Sequence, residues 1–261
     1  MTPVNIAAAS ADSLWCPLAE QLTLDRRAVH VWRACLDQGP SQVDRFRPTL
    51  AADERLRAER FYFVRDRERY IIARGILRTI LGRYLNRAPE SLAFSYGFHG
   101  KPALISESSV ETIRFNISHS HGTALFAVTR AGEIGVDLEL MREDIEVEQL
   151  ADRFFSRQES EVLCALPSEL RRRAFFHCWT RKEAYIKARG EGLSLPLDRF
   201  DVSLIPGTPA ALLNTRPESN EALRWSLQDL TVTSGYVAAL AVKGRGCSLS
   251  YGQWPWPRSM P

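Results

Sequence analysis

Apolar and polar positions along the chain repeat with a period that switches between about 2 and about 3.6 residues, and the switches mark the elements. After an irregular first 28 residues, AVHVWRACL at 28–36 predicts a strand. Residues 49–84 predict a helix-rich stretch, with Asp53 or Thr49 capping a first helix and Leu56, Phe61 and Phe63 opening the apolar face. A short strand at 92–96, the turn GFHGKP and strands at TIRFNIS and TALFAVTR follow. In EIGVDLEL, Ile134, Val136 and Leu138 alternate with Gly135, Asp137 and Glu139, the period of a strand with one apolar face. Helices are predicted at about 146–164 and 168–189, then strands near 200–204, 223–232 and 236–242. The tail GQWPWPRSMP holds too much proline to extend any element, and we expect it to pack back on the C-terminal half.

One internal similarity organises this pattern. Shifted by 115 positions, FYFVRDRERYIIARG at 61–75 falls on FHCWTRKEAYIKARG at 176–190 with seven identities in fifteen. At nearly the same offset, ALFAV at 124–128 falls on AALAV at 238–242. Two halves, each with a long helix and antiparallel strands, predict an α+β protein divided near 130–132 into residues 1–130 and 131–261.

At 261 residues, 45% hydrophobic and 25% charged, the chain is long enough for a sizeable core, which excludes disorder and small disulfide scaffolds. No apolar run approaches the ~18 residues of a membrane helix, and the N-terminus lacks the features of a secretion signal, so a cytoplasmic protein is expected. The five cysteines are scattered without a C-x-x-C pair, and we expect reduced, mostly buried thiols. A net charge of +3 conceals a division: residues 45–87 carry twelve Arg against five acids, and residues 133–148 carry seven acids against one Arg. Basic and acidic stretches together suit a phosphorylated ligand held through a divalent metal. Nothing in the composition calls for nucleic acid.

Three segments carry chemistry. Asp137 and Glu139 leave one face of a strand, the kind of oxygen pair that a hard cation takes. In WTRKEAYIK, Glu183 and Lys187 lie one helical turn apart, suiting a third metal ligand and a cation for phosphate. Four lysines stand against thirty arginines, and three of them, Lys101, Lys182 and Lys187, fall in the motif segments. The third segment, FNISHSHG at 115–122 beside the turn GKP, gathers hydroxyls, imidazoles and Lys101 in a plausible phosphate cradle. Zinc at His119 and His121 has no completing ligands.

Taken together and in order, GKP, FNISHS, IGVDLE and WTRKEAYIK followed by GEGLSLPLDRF resemble the Sfp-type 4′-phosphopantetheinyl transferases, over about residues 45–200. The resemblance implies a pseudo-twofold monomer of two α+β halves, each a long helix packed on a small antiparallel sheet, with the active site in the cleft between them. It implies Mg²⁺-dependent transfer of the phosphopantetheine arm of coenzyme A to a serine of an apo acyl or peptidyl carrier protein, releasing adenosine 3′,5′-bisphosphate. By motif, Asp137, Glu139 and Glu183 would surround Mg²⁺, and Lys187 would contact the pyrophosphate. Lys101, Ser118 and His119 would hold the 3′-phosphate and adenosine end of coenzyme A, Arg57 would match the family's cation four residues before the Phe-Tyr pair, and Pro102 of the GKP turn would join the cofactor-binding residues. Glu183, or a water it orients, would take the serine proton, so Asp137, Glu183 and Lys187 are the catalytic set. Glu54 stands where relatives often carry lysine, and His121 and Glu159 have no assigned task. Two alternatives use the same residues: a Mg²⁺-dependent hydrolase of coenzyme A or a related nucleotide, and a non-catalytic module that binds coenzyme A or carrier proteins. The intact set of Asp137, Glu139, Glu183 and Lys187 counts against the module.

Overall fold

The two segments with the strongest helical period become two helices of 22 residues each, and the sheets form around them. The structure, a computed structural model, describes residues 11–16, 22–105 and 113–256. The first half runs β1 (Ala28–Cys35), α1 (Pro40–Phe46), α2 (Ala52–Glu59), α3 (Val64–Leu85), β2 (Phe94–Tyr96), β3 (Pro102–Leu104), β4 (Arg114–Ser120) and β5 (Thr123–Thr129). The second runs β6 (Ile134–Leu140), α4 (Val147–Phe154), α5 (Arg157–Ala165), α6 (Ser168–Arg189), β7 (Phe200–Val202), β8 (Leu212–Thr215), β9 (Trp225–Leu230), β10 (Tyr236–Lys243) and β11 (Ser248–Gln253). The result is a mixed α+β architecture with one four-stranded sheet, β11-β1-β5-β4, one three-stranded sheet, β6-β10-β9, and two small hairpins. The order β1-β5-β4 in one half matches β6-β10-β9 in the other.

Apolar positions of α3 at Ile72, Ile76, Leu77, Ile80 and Leu81 are buried with Trp32, Phe115 and Phe126 of the larger sheet. The helix stops where Asn86 turns left-handed at φ 50°. On the other side, α6 lies against β6, and the approach is set by Gly135. A Cβ there would fall far inside the contact distance of the Ala184 carbonyl oxygen and the Ala188 nitrogen, so only glycine lets the helix backbone rest on the strand. Gly190, at φ 75°, ends α6. Its partner in the internal similarity, Gly75, stays helical under the Phe46 ring while α3 continues to Leu85. The repeated residues therefore do different work in the two halves.

Several sequence expectations are corrected. Residues 146–164 form two helices, because Ser156 accepts the Glu159 N–H at 3.2 Å and Glu159 accepts the Ser156 N–H at 3.0 Å, starting a new helix there. Neither Thr49 nor Asp53 caps α2. Ala51 holds the cap position, and its N–H donates to Glu54 at 2.8 Å. Leu56 and Phe63 are 60% and 61% exposed instead of opening an apolar face, and α1, unanticipated, starts on Pro40. Cys16, Cys35 and Cys164 are exposed, Cys247 is half-buried and Cys178 alone is buried, so the thiols are not mostly buried. The tail also behaves differently from its proline count. Gly252 and Gln253 complete β11, which runs parallel to β1, so the larger sheet is not wholly antiparallel. Trp254, only 4% exposed, and Trp256 pack on Phe46 in the N-terminal core, not on the C-terminal half. Proline stops the strand only after Gly252 and Gln253 have joined it.

Candidate functional site

The two sheets meet at β4 and β6, and they meet through side chains. Three alternate residues of β4 accept three alternate backbone N–H groups of β6: Asn116 from Val136 at 2.9 Å, Ser118 from Leu138 at 3.2 Å and Ser120 from Leu140 at 3.1 Å. Asn116, Ser118 and Ser120 are buried, and the residues between them, Ile117 and His119, open onto a cavity. A strand with period 2 thus serves the metal-type carboxylates on one face and the cavity on the other.

The ladder fixes Asp137 and Glu139. Asp137 is 2% exposed, because its face of β6 looks into α6, not into water. Its Oδ1 accepts from Ser118 Oγ at 3.0 Å and from Lys187 Nζ at 2.6 Å, while its Oδ2 is buried without a hydrogen-bond partner. Lys187 Nζ also reaches Ser118 Oγ at 3.0 Å. Glu139 accepts from Ser120 Oγ at 3.1 Å, and burial, then the adjacent charge of Asp137, pushes its carboxyl up to about 7. Burial and then Asp137 also raise Glu183 above the ordinary carboxylate range, with Lys187 opposing. The structure therefore gathers Asp137, Glu139, Glu183, Lys187 and Ser118 at one place. The carboxylates feel one another's charge without closing into a ready-made set: among the described residues no three His, Cys, Asp or Glu side chains are placed to hold a metal ion.

Beyond His119 lies a cavity of about 480 Å³ lined by Arg57, Arg69, Arg74, Tyr70 and Tyr96, with Pro102 and His121 at its edge. Burial in its wall, then the charges of Lys187 and Arg69, hold the His119 imidazole below its ordinary pKa. His121 takes the left-handed position of the β4–β5 turn, φ 52°, with Nδ1 3.3 Å from Ser120 Oγ. Lys101 is not among these groups. Its ammonium donates to the carbonyls of Ile134 at 3.0 Å and Ala188 at 2.9 Å, and burial lowers its pKa. Lys182 and Glu159 are structural instead: Lys182, fully buried, pairs with Glu159 at 2.7 Å and donates to the carbonyls of Leu197 and Phe200.

Asn116, Ser120, Arg69 and Arg74 were missed from the sequence. Their signals were present, as N-x-S-x-S opposite G-V-D-L-E-L, and as Asp66, Arg69, Tyr70, Ala73 and Arg74 spaced along one face of a helix. Charge counting blurred them, because Arg69 is paired with Asp37 at 2.6 Å, Glu133 lies by Lys101 and Arg114, and Asp144 is taken by Arg142.

Comparison with known proteins bears on this geometry. The sequence pattern of the 4′-phosphopantetheinyl transferase superfamily matches residues 133–241, and that of the 4′-phosphopantetheinyl transferase N-terminal region matches residues 37–131. The chain is 44% identical to the 4′-phosphopantetheinyl transferase HetI of Nostoc sp. over 232 residues, 89% of this chain and 94% of that one. It is 34% identical to the 4′-phosphopantetheinyl transferase Sfp of Bacillus subtilis over 161 residues, 62% of this chain and 69% of that one. No helix among the described residues is long and apolar enough to cross a membrane.

Proposed function

The chain belongs to the 4′-phosphopantetheinyl transferase superfamily, and from that premise we propose that its cleft moves the phosphopantetheine arm of coenzyme A onto a serine of an apo acyl or peptidyl carrier protein. The convergence of Lys187 and Ser118 on Asp137, beside Glu139 and Glu183 and next to an arginine-lined cavity, carries this reading. In the reaction, the carrier serine oxygen forms a bond to the phosphorus that bears the arm, and the bond from that phosphorus to adenosine 3′,5′-bisphosphate breaks.

The donor set fits Mg²⁺. Asp137 Oδ2 is buried and unpartnered, and burial plus mutual repulsion raise Glu139 and Glu183, the pattern of oxygens lacking a cation. Asp137, Glu139 and Glu183 would hold the ion, which supplies neutralisation of pyrophosphate charge. Lys187 places its ammonium against the same phosphate oxygens and stabilises the charge that develops as the bond breaks. A carboxylate oxygen of Glu183, or a water it orients, accepts the serine proton, and its raised pKa makes it a better base. Arg57, Pro102 and His119 border the space for the adenosine end, with His119 neutral and able to donate a hydrogen bond. Ser118 acts by orienting Asp137 and Lys187, and Lys101 by tying β6 to α6. The matching strand orders support reading residues 1–130 and 131–261 as pseudo-twofold halves.

Intact-mass analysis of an apo acyl carrier protein, incubated with this protein, coenzyme A and Mg²⁺, tests the proposal. A gain of one phosphopantetheine that chelation abolishes is the expected result. Cleaved coenzyme A with no gain on any carrier would replace transfer by hydrolysis, and intact coenzyme A would leave only binding.

A further inference from the structure

The contact of β4 with β6 repeats itself, and the reaction described above uses only the first repeat. Ser118 Oγ accepts the Leu138 N–H at 3.2 Å and donates to Asp137 Oδ1 at 3.0 Å. Two residues on, Ser120 Oγ accepts the Leu140 N–H at 3.1 Å and donates to Glu139 Oε2, also at 3.1 Å. The serines of S-x-S therefore stand opposite the carboxylates of D-x-E, and each hydroxyl ties a carboxylate to the backbone of the residue after it. A serine hydroxyl has one proton and two lone pairs. At Ser118 the Lys187 ammonium, 3.0 Å away, takes the second lone pair, so the proton is left for Asp137. At Ser120 the second place belongs to His121, whose Nδ1 lies 3.3 Å from Oγ. His121 and Gly122 form the two-residue turn between β4 and β5, where His121 takes the left-handed conformation that histidine adopts more readily than most residues. The turn is held from outside: the Leu36 N–H donates to the Gly122 carbonyl at 2.6 Å, and the Asp37 carboxylate occupies the space that a Cβ on Gly122 would need.

We propose that Ser120 is the positioning residue that aims the Glu139 carboxylate at the metal, and that His121 commits the Ser120 proton to that task. This rests on the reading of Asp137, Glu139 and Glu183 as the Mg²⁺ set. Asp137 is short, buried and held by both Ser118 and Lys187, whereas Glu139 is longer, half-buried and, among the described residues, hydrogen-bonded by Ser120 alone. Holding Glu139 through Oε2 leaves Oε1 for an ion and removes in advance part of the side-chain freedom that metal binding would otherwise have to freeze. The His121 contact works in one tautomer. With the proton on Nδ1, His121 donates to Ser120 Oγ, and the hydroxyl proton is left for Glu139. A bare Nδ1 would have to win that proton from an ionised carboxylate that is also the nearer acceptor, 3.1 Å against 3.3 Å, and the charge-assisted bond prevails.

Titration of Mn²⁺ into the whole protein with coenzyme A present, read by electron paramagnetic resonance of the free ion, tests this without turnover. Ser120→Ala should weaken Mn²⁺ binding on the order of 10-fold, while coenzyme A binding measured under chelation stays within about twofold. Ser120→Thr keeps the hydroxyl and should recover most of the loss. His121→Gly keeps the left-handed turn without the imidazole and should cost about threefold, whereas His121→Asn keeps both the turn and an N–H donor and should stay within about twofold of wild type. Wild-type Mn²⁺ binding in Ser120→Ala, even with a lower melting temperature, would reduce the hydroxyl to its bond with Leu140 and overturn the proposal, as would equal losses in Ser120→Ala and Ser120→Thr. If Ser120→Ala does not fold, unchanged Mn²⁺ binding in His121→Gly overturns it. A wild type that binds coenzyme A but no Mn²⁺ would sink the metal reading and this proposal with it, whereas a wild type that binds both and is matched by Ser120→Ala sinks this proposal alone.

Discussion

Gly135→Ala is a one-carbon change that alters no charge, and it should damage both stability and transfer. The added Cβ would press on the Ala184 carbonyl oxygen and the Ala188 nitrogen, which are helix backbone and cannot swing aside as a side chain does. To restore ordinary contact, α6 must retreat from β6 by about 1 Å, and overpacking of this kind costs roughly 1–3 kcal/mol. Because both clashing atoms are backbone, the upper end is expected, which for a chain of this length lowers the melting temperature by about 5–10 °C. Glu183 and Lys187 ride on α6 on either side of Ala184, and Asp137 lies two residues beyond Gly135, so the same retreat separates the catalytic groups. A displacement near 1 Å can reduce turnover on the order of 100-fold. Thermal melting followed by tryptophan fluorescence and the rate of carrier modification at saturating coenzyme A read the two effects. Gly39→Ala is the control, since a Cβ there meets nothing within 4 Å. If Gly135→Ala melts and turns over like Gly39→Ala, α6 does not sit on β6 as described.

Asp137→Ala should stop transfer and also cost about 1–3 kcal/mol by urea unfolding, because Lys187 and buried Ser118 lose their shared acceptor; an active variant would refute the metal and lysine assignment. Lys182→Met leaves Glu159 buried beside no cation and should cost about 3–5 kcal/mol, and a neutral result would show that the pair does not hold the 197–202 segment. Trp254→Ala should cost a similar ~3–5 kcal/mol by the same measurement, against little loss if the tail only lies on the surface. Burial raises the Asp229 carboxyl, but the His177 ring 3.5 Å away and the two hydrogen bonds from Arg181 outweigh it and bring the group down to about 2. A depressed folded-state pKa gives stability that is present above the unfolded value of 3.8 and lost as pH falls towards 2. The melting-temperature gap between wild type and Asp229→Asn should therefore shrink between about pH 5 and about pH 2, and a constant gap would refute the pairing.

Elements with a long or strict period were legible in the sequence: α6, β5, β6 and β10 lie where the apolar positions put them. Boundaries set by hydrogen bonds were harder to read. The break at Ser156 depends on a capping exchange with Glu159 that the apolar pattern of 146–164 does not register, and β11 was hidden by the proline count of a tail whose first two residues are still strand. In the site, spacing gathered Asp137, Glu139, Glu183 and Lys187, because each pair shares one element. Contacts between elements carry no local signature. Lys101 stands in a recognisable motif, yet its partners are carbonyls on β6 and α6, while Arg74, in no motif, gains its place from Glu54 and Tyr96.

The pairing of β1 with β11 also sets an order of events during synthesis. Arg33 and Gln253, hydrogen-bonded at 2.9 Å, are separated by 220 positions of chain. While a ribosome is still translating the second half, β1 has already emerged with its outer edge unpaired and the recess around Phe46 without Trp254. The half that is made first is thus finished last. Until residue 253 arrives, that open edge is the place where a chaperone, or another unfinished copy of the chain, finds a strand to hold.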